Sequence, residues 1–266
     1  MSMRIAVAGG TGWLGRLVTG QLKADGDVPV VLARSTGVDL TTGAGLDTAL
    51  EGADAVIDVS NIITTSRSKS VGFFETATEH LLAAGQRAGV GHHIAVSIVG
   101  VDRIDFGYYL GKRRQEELVL TGLVPSSVLR ATQFHEFAAQ MLSRGIGPFI
   151  VAPKMLCEPV AGREVAAALV KLARAEPVGL APDFTGPQRE NMPEMVRRLA
   201  RVRGTHRPIL TIRIPGRAGG LVARGGLLPT GTAARGKVSF AEWLNSADAE
   251  ATAPRSGAGP GAPPDA

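Results

Sequence analysis

Along the first 145 positions, short apolar runs alternate with longer amphipathic stretches. Runs of four to six residues at 4–8, 28–33, 55–59, 93–97 and 127–130 have the length and composition of buried strands. Between them, Leu14, Leu17, Val18 and Leu22 fall at offsets 0, 3, 4 and 8 and so share one helical face. The stretches 73–87, 110–121 and 163–176 follow the same period. This alternation predicts βαβ units on a parallel sheet, an α/β, Rossmann-type doubly wound fold.

Beyond about residue 146 the alternation loosens. Pro148, Pro153, Pro159, Pro177, Pro182 and Pro187 punctuate shorter elements, which predicts a core over 1–145 followed by a small C-terminal subdomain over 146–245, folded across the sheet's edge. Asn191 before Met192-Pro193 reads as the cap of a helix running to Arg203. Ser239-Phe240-Ala241-Glu242 reads as a capping box for a last short helix that carries Trp243. From Ser246 onward 16 of 21 residues are Ala, Pro, Gly or Ser, which predicts a disordered tail over 246–266.

The turn after the first strand carries the first chemistry. Gly9-Gly10-Thr11-Gly12-Trp13-Leu14-Gly15 lies between a predicted strand and a predicted helix, the context a dinucleotide fingerprint requires. Glycines at 9, 12 and 15 permit a tight turn, let a pyrophosphate approach the backbone of Thr11, Trp13 and Leu14, and let helix pack closely on strand. Amides at the helix start face the phosphate charge. The alternative is a purely structural βα turn. Nineteen residues past Gly15, where an NAD site places a carboxylate on the ribose, stand Arg34 and Ser35. A guanidinium pairs with a 2′-phosphate, so NADP(H) is favoured and NAD(H) remains possible. An arginine merely facing water at a strand end is the other reading.

Ser97 ends a strand, and eleven residues later Tyr108 opens a helix with Lys112 at i+4. An ammonium one turn from a phenol lowers its pKa toward the working range, and Ser97 orients a carbonyl beside it. Taken alone, Tyr-x-x-x-Lys is a weak signal, and a structural tyrosine stays open. Asn61, just past the third strand, either lines the cofactor cleft or makes a plain turn. Asp39-Leu40 follows a short possible strand and contacts adenine or solvent, and His135 sits near the subdomain junction.

Composition mostly excludes. The chain has 266 residues, 44% apolar and 20% charged, with no apolar stretch near the ~18 residues of a membrane span. A lone cysteine, Cys157, excludes an internal disulfide framework and fits a reducing cytoplasm, and the N-terminus lacks a signal-peptide core. The histidines lack ligand spacing, so no metal site is expected, and no Gly-x-Ser-x-Gly elbow points to a serine hydrolase. Net charge is +5, unevenly placed: between Arg189 and Arg235 ten arginines face two acids, a net +8. That segment reads as a solvated surface or as a site for phosphates or acidic partners. No helix-turn-helix, finger or aromatic-basic pattern points to nucleic acid.

Together, the glycine turn, Val96-Ser97-Ile98-Val99-Gly100, Tyr108-Tyr109-Leu110-Gly111-Lys112 with Gln115-Glu116-Glu117, and Leu129-Arg130-Ala131-Thr132-Gln133-Phe134-His135-Glu136-Phe137 resemble the atypical short-chain dehydrogenase/reductases, specifically the NmrA-like NAD(P)-binding group. The likeness runs through 160–166 and Gly186-Pro187 to Gly236 and Trp243, short only of the tail. The resemblance implies an NAD(P)-binding core, a substrate-binding C-terminal portion, Tyr108 as proton donor or acceptor, Lys112 on the nicotinamide ribose and Ser97 on a carbonyl. It points to an NADPH-dependent reductase of a small, largely apolar carbonyl compound or quinone. The alternatives are a non-catalytic dinucleotide sensor and, with a C-terminal portion short for its substrate, a sugar-nucleotide epimerase. Substrate identity and oligomeric state have no signature in the sequence.

Overall fold

The computed structural model describes residues 2–143 and 145–252. Its first half runs β1 (Arg4–Ala8), α1 (Trp13–Ala24), β2 (Val28–Leu32), α2 (Leu46–Leu50), β3 (Ala55–Asp58), α3 (Arg67–Arg87), β4 (His92–Ile98), α4 (Gly107–Thr121) and β5 (Ser126–Ala131). The second half runs α5 (Glu136–Ser143), β6 (Gly145–Ile146), β7 (Phe149–Pro153), β8 (Leu156–Cys157), α6 (Gly162–Ala173), β9 (Gly179–Leu180), β10 (Asp183–Thr185), β11 (Glu190–Asn191), α7 (Met192–Val202), β12 (Ile209–Ile212), α8 (Gly216–Ala223), β13 (Ala233–Arg235), α9 (Phe240–Leu244) and α10 (Ala247–Ala251).

The main sheet is parallel, in the order β2-β1-β3-β4-β5-β10-β13, with β9 also beside β5. From β1 the chain moves outward to β2 and then reverses to β3. The strand order therefore switches beside β1, and such a switch opens a crevice at the carboxyl ends of the strands. β1 and β3 are apolar on both faces because helices cover both. Ile5 and Val7 pack with Val18 of α1 and Val165 and Leu169 of α6, whereas Ala6, Ala8 and Val56 pack with Leu46, Leu50 and Leu81 of α2 and α3. A further core gathers Ile150, Met195, Leu199, Phe240 and Trp243 from the second half.

Sequence position 146 is not a spatial border. β10 and β13 extend the main sheet, and α6 packs beside α1. These strands have three residues each and pair with partners more than forty positions away, so no local period announces them. Three other expectations change. No strand forms before Asp39, where a 3₁₀ turn (Arg34–Thr36) leads into a loop and Asp39 Oδ1 accepts from Thr41 N at 2.8 Å. Helix α3 begins six residues ahead of its apolar period, capped by Ser66. The tail expected from Ser246 starts as helix: Ala249 of α10 is buried, Arg203 donates to its carbonyl at 2.7 Å, and Arg163 pairs with Asp248 at 2.7 Å. Residues 253–266 of that expected tail lie outside the described residues. No helix among the described residues is long and apolar enough to cross a membrane.

Candidate active site at the carboxyl ends of the strands

The glycine turn caps β1 at the switch point. Gly9 takes φ +74°, and a Cβ there would stand 2.9 Å from Ser60 Cα, just past β3. Gly12 N donates to Gly9 O at 2.9 Å, and a Cβ on Gly15 would stand 2.2 Å from Gly9 O. Helix α1 starts with no capping side chain and no acid in its first turn. Its leading amides are thus free of the groups that satisfy most helix starts, which fits a pyrophosphate. Leu14 is buried in the core, and Trp13 packs on Phe134 with ring centroids 5.3 Å apart, so both residues offer a ligand their backbone rather than their side chains. Thr11 is exposed, and its carbonyl accepts from Arg16 Nη1 at 2.6 Å.

Arg34 and Ser35 are exposed on the 3₁₀ turn after β2. The charge of Arg34 helps hold the Asp39 carboxyl low, behind the larger effect of the Thr41 hydrogen bonds. Among the described residues nothing pairs with the Arg34 guanidinium, which leaves its fork available to a phosphate.

Three polar atoms without partners mark the ends of adjacent strands: Ser60 Oγ past β3, Ser97 Oγ in β4 and Gln133 Oε1 past β5, all buried. Buried polar groups are nearly always paired, so three orphans along one edge of the sheet point to a ligand surface. Ser60 and Gln133 carry no motif and are visible only once the strands are aligned. In β4, Ala95 packs with Val119 of α4, and alternation puts Ser97 on that same face.

Tyr108 and Asn61 come together: the phenol hydroxyl donates to Asn61 Oδ1 at 2.7 Å. Burial, then the neighbouring Tyr109, pushes the Tyr108 phenol above its ordinary pKa.

Lys112 departs from the expected role. Its ammonium turns inward, donating to Val96 O at 2.6 Å and to Gln115 Oε1 and lying 4.8 Å above the Phe74 ring. Gln115 Nε2 in turn donates to Asp58 Oδ2 at 2.7 Å, and Asp58 Oδ1 accepts from Ser60 N at 2.8 Å. One helical turn past Tyr108, Lys112 sits deeper over the sheet, where these acceptors hold its charge. Burial lowers its pKa to about 8 against the opposing pull of Asp58 and Glu116. It does not lower the Tyr108 phenol. It braces the floor of the site through Gln115 and Asp58, two residues the sequence reading did not single out for this role.

His135 is fully buried, with Nε2 against Val238 O at 2.9 Å, and burial lowers its pKa to about 4. Beside it the buried Glu136 carboxylate accepts from Trp243 Nε1 at 3.1 Å and from Gly162 N at 3.4 Å, and burial raises its pKa from 4.5 to about 7. Between those values the unfolded chain gives up the proton first, so Glu136 takes away about 3 kcal/mol of stability as pH rises through the window, while His135, whose pKa is lowered, adds an opposing gain up to its ordinary pKa. Glu136→Gln keeps an acceptor for Trp243 and removes only the Glu136 loss, so the variant is expected to gain stability relative to the parent between about pH 5 and about pH 7, as read from urea midpoints. Parallel profiles for parent and variant would contradict the assignment.

The arginine-rich segment is mostly structural. Arg189 and Arg235 pair with Glu158, Arg197 and Arg201 with Glu194, and Arg198 with Glu190. Arg203 and Arg207 bind backbone carbonyls. Arg213, Arg217 and Arg224 have no side-chain partner among the described residues.

No protein-family model matches the chain. A protein of Streptomyces griseus subsp. griseus, (4-alkanoyl-5-oxo-2,5-dihydrofuran-3-yl)methyl phosphate reductase, is 31% identical over 221 residues, covering 75% of this chain and 74% of its own length. Among solved structures, a short-chain dehydrogenase/reductase superfamily protein from Agrobacterium tumefaciens with bound NAD has a TM-score of 0.66 at 19% identity, covering 93% of this chain and 96% of its own. RMD from Pseudomonas aeruginosa, complexed with NADPH, has a TM-score of 0.65 at 16% identity, covering 95% and 100%.

Proposed function

The chain belongs to the short-chain dehydrogenase/reductase superfamily, and from that premise we propose that it is an NADPH-dependent reductase of a small carbonyl compound, with Tyr108 as proton donor. The observation that carries this reading is the unpartnered, buried Ser97 hydroxyl at the end of β4, on the sheet face covered by α4, the helix that carries Tyr108. When bound, the dinucleotide supplies a hydride. The backbone from Gly9 to Gly15 seats its pyrophosphate, and Arg34 with Ser35 takes the 2′-phosphate. Ser97 Oγ donates to the substrate's carbonyl oxygen and orients it. Tyr108 gives that oxygen a proton, its O–H turning to the substrate from Asn61 Oδ1, which accepts it in the free protein. Asp58, Gln115 and Lys112 hold the floor beneath them. The S. griseus relative is named for a lactone bearing an alkanoyl group, and a carbonyl substrate for this chain is in keeping with that name.

A sensor that meets a partner through the arginine-rich segment is less favoured, because seven of those ten arginines are engaged within the chain. NADPH consumption across a panel of carbonyl compounds tests the reductase reading, and binding without turnover on any of them counts against it. Arg34→Ala is expected to weaken NADPH binding by about tenfold to a hundredfold, the worth of one or two charged hydrogen bonds, with NADH binding little changed. Unchanged NADPH affinity in a fluorescence titration would remove Arg34 from the site.

A further inference from the structure

The loop between β4 and α4 and the start of α8 enclose a cavity of about 530 Å³, within the size range of small-molecule sites. This loop joins the strand of Ser97 to the helix of Tyr108. Phe106 lines the cavity, with its ring 5.8 Å from that of Tyr109, which lies 5.9 Å from that of Tyr108. Ile214 and Leu221 add apolar wall, and Arg103 and Arg217 add two guanidinia. Arg103 is pinned through Nη2 to Gly226 O at 3.0 Å and Leu228 O at 2.6 Å. The lining acid, Asp105, is already paired with Arg113 at 3.1 Å, and Asp102 with Arg130 at 3.1 Å. Arg217 has no side-chain partner among the described residues. An apolar wall with two guanidinia and a neutralised acid suits an organic anion, not a wholly apolar ligand.

We infer that this cavity anchors the substrate by a phosphate monoester, with Arg103 and Arg217 on the phosphate and Phe106, Ile214 and Leu221 over the carbon next to it. The inference rests on the reductase reading for calling the ligand a substrate. The choice of phosphate over carboxylate follows the methyl phosphate in the name of the S. griseus relative's substrate.

The test is calorimetric binding, in the presence of NADP⁺, of an alkanoyl-butenolide methyl phosphate and of the alcohol left when its phosphate is removed. The phosphate is expected to bind about tenfold to a hundredfold tighter than the alcohol, with an advantage that shrinks as salt is added. Arg217→Ala is expected to remove most of that advantage and Arg217→Lys to restore part of it. Because Arg217 holds no other residue in place, these variants test the anion contact rather than folding. Equal binding of the two compounds, failure of both to bind, or a full advantage in Arg217→Ala would overturn the assignment. Phosphate-selective binding that depends on Arg217 but consumes no NADPH would sink the reductase reading and leave this subsite standing. Equal turnover of both compounds would do the reverse.

Discussion

Tyr108→Phe is expected to slow NADPH-dependent reduction by about 10²- to 10⁴-fold, the range that a positioned proton donor supplies. NADPH affinity should stay nearly intact, because the phenyl ring keeps its edge contact with Phe74, 5.9 Å between centroids, and only the hydroxyl is lost. The burial that pushes the phenol's pKa up keeps it protonated but makes it a weaker acid, so it gives up its proton only to a strongly basic oxygen such as the alkoxide that forms on reduction. Single-turnover rates with a saturating carbonyl compound, beside dinucleotide titrations of parent and variant, separate the chemical role from a structural one. Undiminished turnover would remove Tyr108 from the mechanism, and equal losses of affinity and rate would make it a packing residue.

Gly15→Ala is expected to abolish dinucleotide binding, weakening it on the order of 10²-fold or more, and to cost about 1–3 kcal/mol of stability. The new Cβ would stand 2.2 Å from Gly9 O and 2.6 Å from Gly10 Cα. Both are backbone atoms of the turn itself, so no side chain can swing aside and the cradle must open. Gly20→Ala on the same helix is the control. Nothing lies within 4 Å of the added methyl, and a helix-interior glycine replaced by alanine is expected to gain about 0.5–1 kcal/mol. NADPH titration and thermal melts on both variants check the contrast. Intact binding in Gly15→Ala would mean that the pyrophosphate is held elsewhere.

Features fixed by neighbours in the chain were legible in the sequence. The glycine turn reads directly because a strand, a turn and a helix start lie within twelve residues, and the Ser239 to Glu242 capping box forms as its spacing implies. What the sequence did not convey depends on register between distant strands. Ser60, Ser97 and Gln133 become one edge only when β3, β4 and β5 are aligned. Lys112 illustrates the limit of helical spacing, which places it on the Tyr108 face but says nothing of depth. The Val96 carbonyl, Gln115 and Asp58 draw the ammonium inward, away from the phenol it was expected to tune. Charge counting had a similar limit in the arginine-rich segment, since the partners of Arg189 and Arg235 converge on Glu158, thirty or more positions earlier.

The most direct test of the account follows deuterium carried on the nicotinamide of NADPH into a carbonyl substrate. Deuterium is expected on the product carbon in step with NADPH oxidised, with the transfer slowed in Tyr108→Phe and lost in Gly15→Ala. Tight NADPH binding with no deuterium transferred to any carbonyl compound, the phosphorylated butenolide included, would contradict it.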